Sequence, residues 1–445
     1  MKLPLFQPQR YEPIHRFNIQ RSPEWGFMGS DEQEAVRVVS QVLPFRTNTY
    51  VTRNLINWDR NSGDPMFNLT FPQREMIDEE DFSTLQEVLN SGASRDEVKE
   101  VVQSIRRRLN PHPAGQLSHN VPELNGRKLE GLQHKYRETV LFFPSQGQTC
   151  HAYCTYCFRW PQFVGNSEVR FQSRSSDDLV RYLREREEVT DLLITGGDPL
   201  VMKASLLESY LAPVLEAQIE HLKTIRLGSK ALAYWPFRFL TDPDSDDLLR
   251  LFERVVKAGK HLALMAHFSH PVELSTAPVE EAIRRVRSAG AEIRMQAPLV
   301  RHVNDSSDVW AALWKQGVHL GLVPYYMFVE RDTGPKGYFE IPLHRAHLIF
   351  REAFNQVSGL ARTVRGPSMS AFPGKVHLIG TAQIGREKVF VLQFLQARDP
   401  NWVGRPFFAR FDPEACWLDD LTPAFGRKHF FFEREYEPTA VSTVA

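Results

Sequence analysis

A chain of 445 residues exceeds one small domain and has the material for a large barrel with appendages, or for two to three ordinary domains. Lysine plus arginine equals aspartate plus glutamate at 54 each, so no global field draws the protein toward nucleic acid or an anionic membrane, and binding must be local. Four cysteines, three of them clustered, make a poor disulfide framework for this length, which leaves metal or redox chemistry as the better reading.

At the N-terminus, MKLPLFQPQRYEPIHRF has prolines and charges where a signal peptide needs an apolar run, and no uncharged apolar run in the chain is long enough to span a bilayer. A cytoplasmic protein with neither nucleic acid nor membrane as partner is expected. Residues 1–110 read as a helical region: SRDEVKEVVQSIRRRL carries apolar residues at helical spacing after a Ser cap and ends at a linker, LNPHPAG. From about 135 to 330 short apolar runs alternate with amphipathic stretches. The runs are TVLFFP, DLLITGG, TIRLGS, HLALMAHF, EIRMQAPLV and HLGLVPYYMF. Between them lie SDDLVRYLRERE, DDLLRLFERVVKAG, PVEEAIRRVRSAG and SDVWAALWKQG. This alternation predicts an α/β fold with a parallel sheet and right-handed crossovers, either an open sheet or a barrel with too few units for a complete eightfold one. Toward the C-terminus KVHLIGTAQIGREKVFVLQFLQ reads as a hairpin, followed by an aromatic, Pro-rich end. The expected division is 1–110, 111–380 and 381–445.

The three clustered cysteines, Cys150, Cys154 and Cys157, follow TVLFFP and so sit in a loop at a strand's C-terminal end, where chemistry collects in parallel α/β folds. A structural zinc site wants four ligands, commonly in two spaced pairs. No C-x2-C partner pair exists and Cys416 is remote, although His151 could complete a zinc set and buried unreactive cysteines are the bland alternative. Three thiolates at C-x3-C-x2-C suit an iron–sulfur cluster with one iron left open.

C-x3-C-x2-C with an aromatic before the last cysteine, followed by Gly196, Gly197 and Asp198 in ITGGDPL after the next strand, resembles the radical S-adenosylmethionine (SAM) superfamily. RLGSK (226–230), AHFSHPVE (266–273), RHVND (301–305) and VPYYMF (323–328) narrow the resemblance to the lysine 2,3-aminomutase family over roughly residues 130–380. The resemblance implies a partial (β/α)6 barrel, a 4Fe–4S cluster on Cys150, Cys154 and Cys157, SAM at the open iron and along Gly196, Gly197, Asp198 and Ser229, and pyridoxal 5'-phosphate (PLP). By the family's spacing PLP is attached to Lys375 of SAFPGK, with Lys135, Tyr136 and Arg137 of HKYRET around it. Taken alone, a lysine in a Pro-Gly loop is a solvated surface residue. Arg159 matches the residue that pairs with the substrate α-carboxylate, as a guanidinium can do in bidentate fashion.

Two positions break the pattern. Lysine aminomutases hold the distant substrate ammonium with two aspartates, and the same spacings here land on Arg331 and Ser368. A cationic side chain facing Arg331 would be repelled. The expectation is a 2,3-aminomutase for glutamate or another acidic or non-cationic amino acid; a register slip within ERD would instead present Glu330 or Asp332 and restore a lysine site. The other readings are a radical SAM enzyme without PLP chemistry and a zinc-binding interaction protein. The resemblance also implies a small amino-acid substrate and a reductant such as flavodoxin or ferredoxin. Assembly, a homo-oligomer included, stays open, because only Cys416 lies where some relatives carry further cysteines for a zinc at a subunit contact.

Overall fold

The computed structural model describes residues 6–111, 120–165 and 171–434. The N-terminal region has helices Ser30–Val42, Thr49–Asn54, Pro65–Thr70, Glu79–Asn90 and Arg95–Leu109, together with a small antiparallel pair, β1 (Pro13–His15) and β2 (Arg46–Asn48). Ser94 caps the last of these helices with its hydroxyl on Glu97 N, and Glu97 returns a carboxylate to Ser94 N, the reciprocal arrangement its sequence spells. Most of the expected linker after it lies outside the described residues. A short hairpin, β3 (Glu123–Leu124) and β4 (Arg127–Lys128), leads to the main sheet.

That sheet has eleven strands laid down in chain order: β5 (Leu132–Tyr136), β6 (Thr139–Phe142), β7 (Asp191–Ile194), β8 (Thr224–Ser229), β9 (His261–His267), β10 (Glu292–Leu299), β11 (Val323–Val329), β12 (Arg365–Ser370), β13 (Gly374–Ile384), β14 (Glu387–Ala397) and β15 (Pro406–Arg410). Strands β6 to β12 are parallel; β5 at one end and β13, β14 and β15 at the other are antiparallel. The six apolar runs in the sequence are β6 to β11. A seventh parallel strand, β12, extends them, so the sheet is mixed and longer than six units. Among the described residues no hydrogen-bonded ladder joins its two ends, yet Lys135 Nζ on β5 donates to the Ala371 carbonyl between β12 and β13, which brings β5 against the far end of the parallel strands.

Crossover helices follow helix-period burial. Ser245–Lys257 buries Leu248, Leu249, Leu251, Phe252 and Val255 on one stripe, with Asp246 and Asp247 in its first turn and Arg254 and Lys257 in its last, each where the helix dipole favours that charge. Strand β9 is buried continuously from Leu262 to Ala266, as a strand covered on both faces must be. Val36, Val39, Phe67 and Phe82 of the N-terminal region share one apolar core with Leu192, Ile225 and Leu264 of the sheet, while Val376, Phe390, Phe394, Phe407 and Trp417 form a second core around β13 to β15. Among the described residues no helix is long and apolar enough to cross a membrane.

Candidate active site

The cysteine loop begins three residues beyond a short 3-10 turn, Ser145–Gly147, after β6. The Gly-Gly stretch after β7 is zipped against its first residues. Gly197 N and Asp198 N both donate to Gly147 O at 3.1 Å, and Asp198 N donates to Thr149 O at 2.7 Å. Contact this close excludes side chains: a Cβ on Gly196 would lie 2.3 Å from Gln148 Nε2, and one on Gly197 would lie 2.4 Å from Thr149 O. Gly196 also has φ +150, a conformation L side chains rarely adopt. Asp198 is buried, and its carboxylate accepts from Leu200 N (2.9 Å), Ser229 Oγ (2.9 Å) and Lys230 N (2.8 Å). It therefore clasps the loops after β7 and β8, with Ser229 as its partner.

Cys150, Cys154 and Cys157 are unbridged, and Cys154 Sγ lies 3.2 Å from Tyr234 Oη. Burial pushes the Cys157 thiol up to about 12, with Cys154 adding to it; burial likewise raises Cys150 well above the usual thiol range, with Asp198, Cys157 and Cys154 contributing. The three sulfurs thus feel one another in a poorly solvated place and need a positive partner to ionise, which iron supplies. Among the described residues no three His, Cys, Asp or Glu side chains gather around one ion position. A cubane cluster asks for something else, one thiolate at each of three separate corners, and this donor set is chemically suited to it. His151 is buried with its ring against Tyr11 at 5.5 Å, and burial holds its imidazole near 3, so it is a neutral packing group beside the loop.

Arg159 places its guanidinium 4.4 Å over the Phe143 ring, with Nη2 donating to Gln148 Oε1 at 3.2 Å. Its Nε is buried without a hydrogen-bond partner, and burial lowers the guanidinium to about 10. Arg331, just past β11, lies between the Phe158 ring (5.1 Å) and the Trp417 ring (5.8 Å). Its Nε is also buried and unpartnered, with the Asp332 carboxylate 4.0 Å away. Ser368, paired in register with Phe328, has no exposed surface, and its hydroxyl donates to Met327 O at 3.4 Å. It does not offer the hydroxyl to a ligand-accessible wall, because the backbone has already taken it.

Lys375 is not in a solvated loop. It is the second residue of β13, opposite Gln396, whose Oε1 accepts from its Nζ at 3.2 Å. Aromatic rings surround the amine: Tyr326 at 4.1 Å, Phe328 at 5.7 Å and Tyr136 at 6.0 Å. Burial, with Arg226 and Arg365 nearby, lowers the ammonium to about 7. Lys135 lies 5.2 Å from the Tyr136 ring; burial and the neighbouring Arg331, Arg398 and Lys375 push it well below the usual lysine range. The structure thus brings Lys135, Tyr136 and Lys375 together. Arg137 is left out: it is exposed in the turn between β5 and β6. Arg398, bonded to Phe372 O at 2.9 Å, joins the basic group instead. No motif marks Arg398; only the β14 pairing that carries it back to β13 does so.

With this geometry in hand, the chain matches the radical SAM superfamily over residues 145–311. A protein of Aquifex aeolicus (strain VF5) named "Putative L-lysine 2,3-aminomutase" is 32% identical over 394 residues, covering 88% of this chain and 91% of that one. L-lysine 2,3-aminomutase of Bacillus subtilis (strain 168) is 31% identical over 231 residues, 52% of this chain and 46% of that one. Glutamate 2,3-aminomutase of Clostridioides difficile (strain 630) is 28% identical over 212 residues, 48% of this chain and 47% of that one. The fold and the cysteine loop define a radical SAM enzyme. Within that class, the chain belongs to the lysine 2,3-aminomutase-like family, whose chemistry runs on a 4Fe–4S cluster and SAM.

Proposed function

We propose that this enzyme is a PLP-dependent 2,3-aminomutase for an amino acid with an acidic side chain, glutamate in the first place. The observation that carries the acidic assignment is the pair of guanidinium groups, Arg159 and Arg331, each with a buried Nε lacking a partner, on and against the segment that follows Cys157. A guanidinium Nε buried without a hydrogen-bond acceptor is costly, and two carboxylates on one small molecule would supply the acceptor that Asp332, 4.0 Å from Arg331 Nε, does not. Arg159 takes the α-carboxylate and Arg331 the side-chain carboxylate.

Cys150, Cys154 and Cys157 would hold the cluster. SAM would lie along the strand edge at Gly196 and Gly197. Because the N–H groups of Gly197 and Asp198 are bonded to the cysteine loop, that edge offers an ammonium its carbonyl oxygens. Lys375 suits covalent attachment of PLP because an amine lowered to about 7 keeps a substantial neutral, nucleophilic fraction near neutral pH. Lys135, with Arg398 and Arg331 close enough to depress it, supplies the positive potential a phosphate requires. PLP, when bound, contributes a ring that stabilises the migrating nitrogen's radical. The protein's share is to keep the Lys375 amine dry among the rings, to orient both carboxylates and to exclude water.

A second reading, lysine as substrate, rests on Glu330. This carboxyl is buried, and burial raises it well above the usual carboxylate range, so an incoming ammonium could ionise it. The test is anaerobic turnover of glutamate, aspartate and lysine by the reconstituted enzyme and by Arg331→Asp, with products read by mass spectrometry. The acidic reading predicts loss of roughly thirty- to several-thousand-fold in the preference for glutamate in the variant, the range for breaking one desolvated charge pair. Lysine as the preferred substrate of the unaltered enzyme overturns it and moves the anchor to Glu330 or Asp332.

A further inference from the structure

The cysteine loop is held from outside by residues about a hundred positions earlier in the chain. Asn48 Nδ2 donates to His151 O at 3.2 Å and to Tyr234 O at 3.1 Å, while its Oδ1 caps the helix Thr49–Asn54 through Val51 N. Tyr11 Oη donates to the same His151 O at 2.7 Å. Arg46 Nη1 donates to Thr149 Oγ1 at 2.8 Å and to Cys150 O at 3.4 Å, and its own carbonyl accepts from Tyr153 N at 2.8 Å. Thr155 N and Oγ1 are bonded to Leu69 O (3.0 Å) and Asn68 O (2.7 Å). Every residue from Thr149 to Thr155 except Ala152 and Cys154 is therefore bonded to the N-terminal region through its backbone or side chain, and Cys154 is bonded to Tyr234, whose carbonyl Asn48 also holds.

The strand pair β1 and β2 explains why these groups arrive together. Arg46 and Asn48 are alternate residues of β2, and β1 pairs with it directly after Tyr11. A cavity of about 310 Å³ has Tyr11, Arg46, Thr149, Cys150, Trp235 and Arg238 among its lining, so the Arg46 cation and the residue of the first thiol border one space.

We propose that Tyr11, Arg46 and Asn48 are positioning residues for the cluster: they fix the backbone that spaces the three thiols, and the Arg46 charge raises the reduction potential of the cluster bound there. Reduction adds a negative charge, which a nearby cation favours. The proposal rests on the assignment of the cluster to Cys150, Cys154 and Cys157, and the experiment separates the two.

The full-length protein and the variants Tyr11→Phe, Arg46→Gln, Arg46→Lys and Cys157→Ala are reconstituted with ferrous iron and sulfide. Iron content, the midpoint potential by EPR-monitored titration, and the rate of iron loss to a chelator are then measured. Arg46→Gln should fill with iron yet show a lower potential. Arg46→Lys should restore the potential but not the lifetime, since an ammonium keeps the charge and loses the forked geometry. Tyr11→Phe, which removes one hydroxyl and keeps the ring, should release iron roughly two- to tenfold faster at an unchanged potential, the range for one hydrogen bond. If potential and lifetime in the Arg46 and Tyr11 variants equal those of the unaltered protein while Cys157→Ala loses its iron, the positioning role is wrong and the cluster assignment stands. If Cys157→Ala keeps a full cluster, the assignment falls and takes the proposal with it.

Discussion

Replacing Lys375 by methionine should make the cofactor-free protein more stable at neutral pH, even though the lysine is the candidate attachment point for PLP. The amine titrates at about 7 against an ordinary 10.5 because burial among Tyr136, Tyr326 and Phe328 disfavours its charged form. At about 1.36 kcal/mol per pH unit that drop bounds the cost at roughly 5 kcal/mol. The side chain is partly exposed, and water screening reduces this to about 2–4 kcal/mol. The sign follows from proton counting. Between pH 7 and 10.5 the unfolded chain holds the lysine proton and the folded one does not, so stability rises with pH through that window and the deficit is greatest at and below about pH 7. Methionine has similar length, no charge and a flexible stem that fits an aromatic surround. The assay is guanidinium denaturation of the cofactor-free protein and Lys375→Met, followed by tryptophan fluorescence at pH 7 and pH 10. The variant should be more resistant at pH 7 by that margin, the two curves should converge toward pH 10, and, in a separate sample incubated with PLP, the variant should yield no borohydride-trapped cofactor. A variant less stable at pH 7, or an identical difference at both pH values, would refute the buried-amine account.

Other outcomes follow from single contacts. Gly197→Ala places a methyl 2.4 Å from Thr149 O, so the cysteine loop must shift; the purified variant should hold much less iron after reconstitution while its far-UV circular dichroism is retained. Glu273→Gln breaks a buried ion pair with Lys230 at 2.6 Å, in which the carboxylate also accepts from His270 N at 3.0 Å. It should cost about 3–5 kcal/mol in chemical denaturation, less when combined with Lys230→Met, which removes the stranded cation. Cys416→Ser, distant in sequence from the cysteine loop and donating through Sγ to Glu414 O at 3.3 Å, should leave iron content unchanged.

Periodicity reveals the parts of this fold whose burial is decided locally. The six apolar runs and four of the crossover helices have it, and so does the hairpin of β13 and β14. Strand β12 does not: RGPSMS contains glycine, proline and two serines, yet Gly366 to Met369 are buried because β11 and β13 flank them. The helix Ala204–Glu216 was hidden by Pro213 near its end, and Leu343–Asn355 by its two histidines and its charges. The same division runs through the site. The cysteines and the Gly-Gly pair are legible because one short loop must pack on another. Lys375 reads as a surface residue from AFPGK, since the aromatic rings that desolvate it come from β5 and β11. Arg46, Asn48 and Arg398 carry no local signal at all. Their roles are created by pairing between segments distant in sequence.

The chemistry is divided among elements in a way that bears on how specificity can change. Thiols and glycines belong to the loops after β6 and β7, and they are tied to one another and to the N-terminal region. The Lys375 amine belongs to β13, beyond the last parallel strand, and meets β5 because the sheet curls far enough for Lys135 to reach Ala371 across 236 residues of chain. Arg331 stands between the two sets, its charge felt by Lys135 of the basic group. It extends from the end of β11 between Phe158 of the cysteine loop and Trp417 of the C-terminal extension, with no hydrogen bond on its buried Nε. Altering its charge therefore removes no hydrogen bond that positions a thiol or shields the amine, and lowers only the positive potential around Lys135. In the proposed reading a substrate tail can be recognised anew at Arg331 while the radical machinery and the amine stay fixed, which is how one fold could serve lysine in some relatives and an acidic amino acid here.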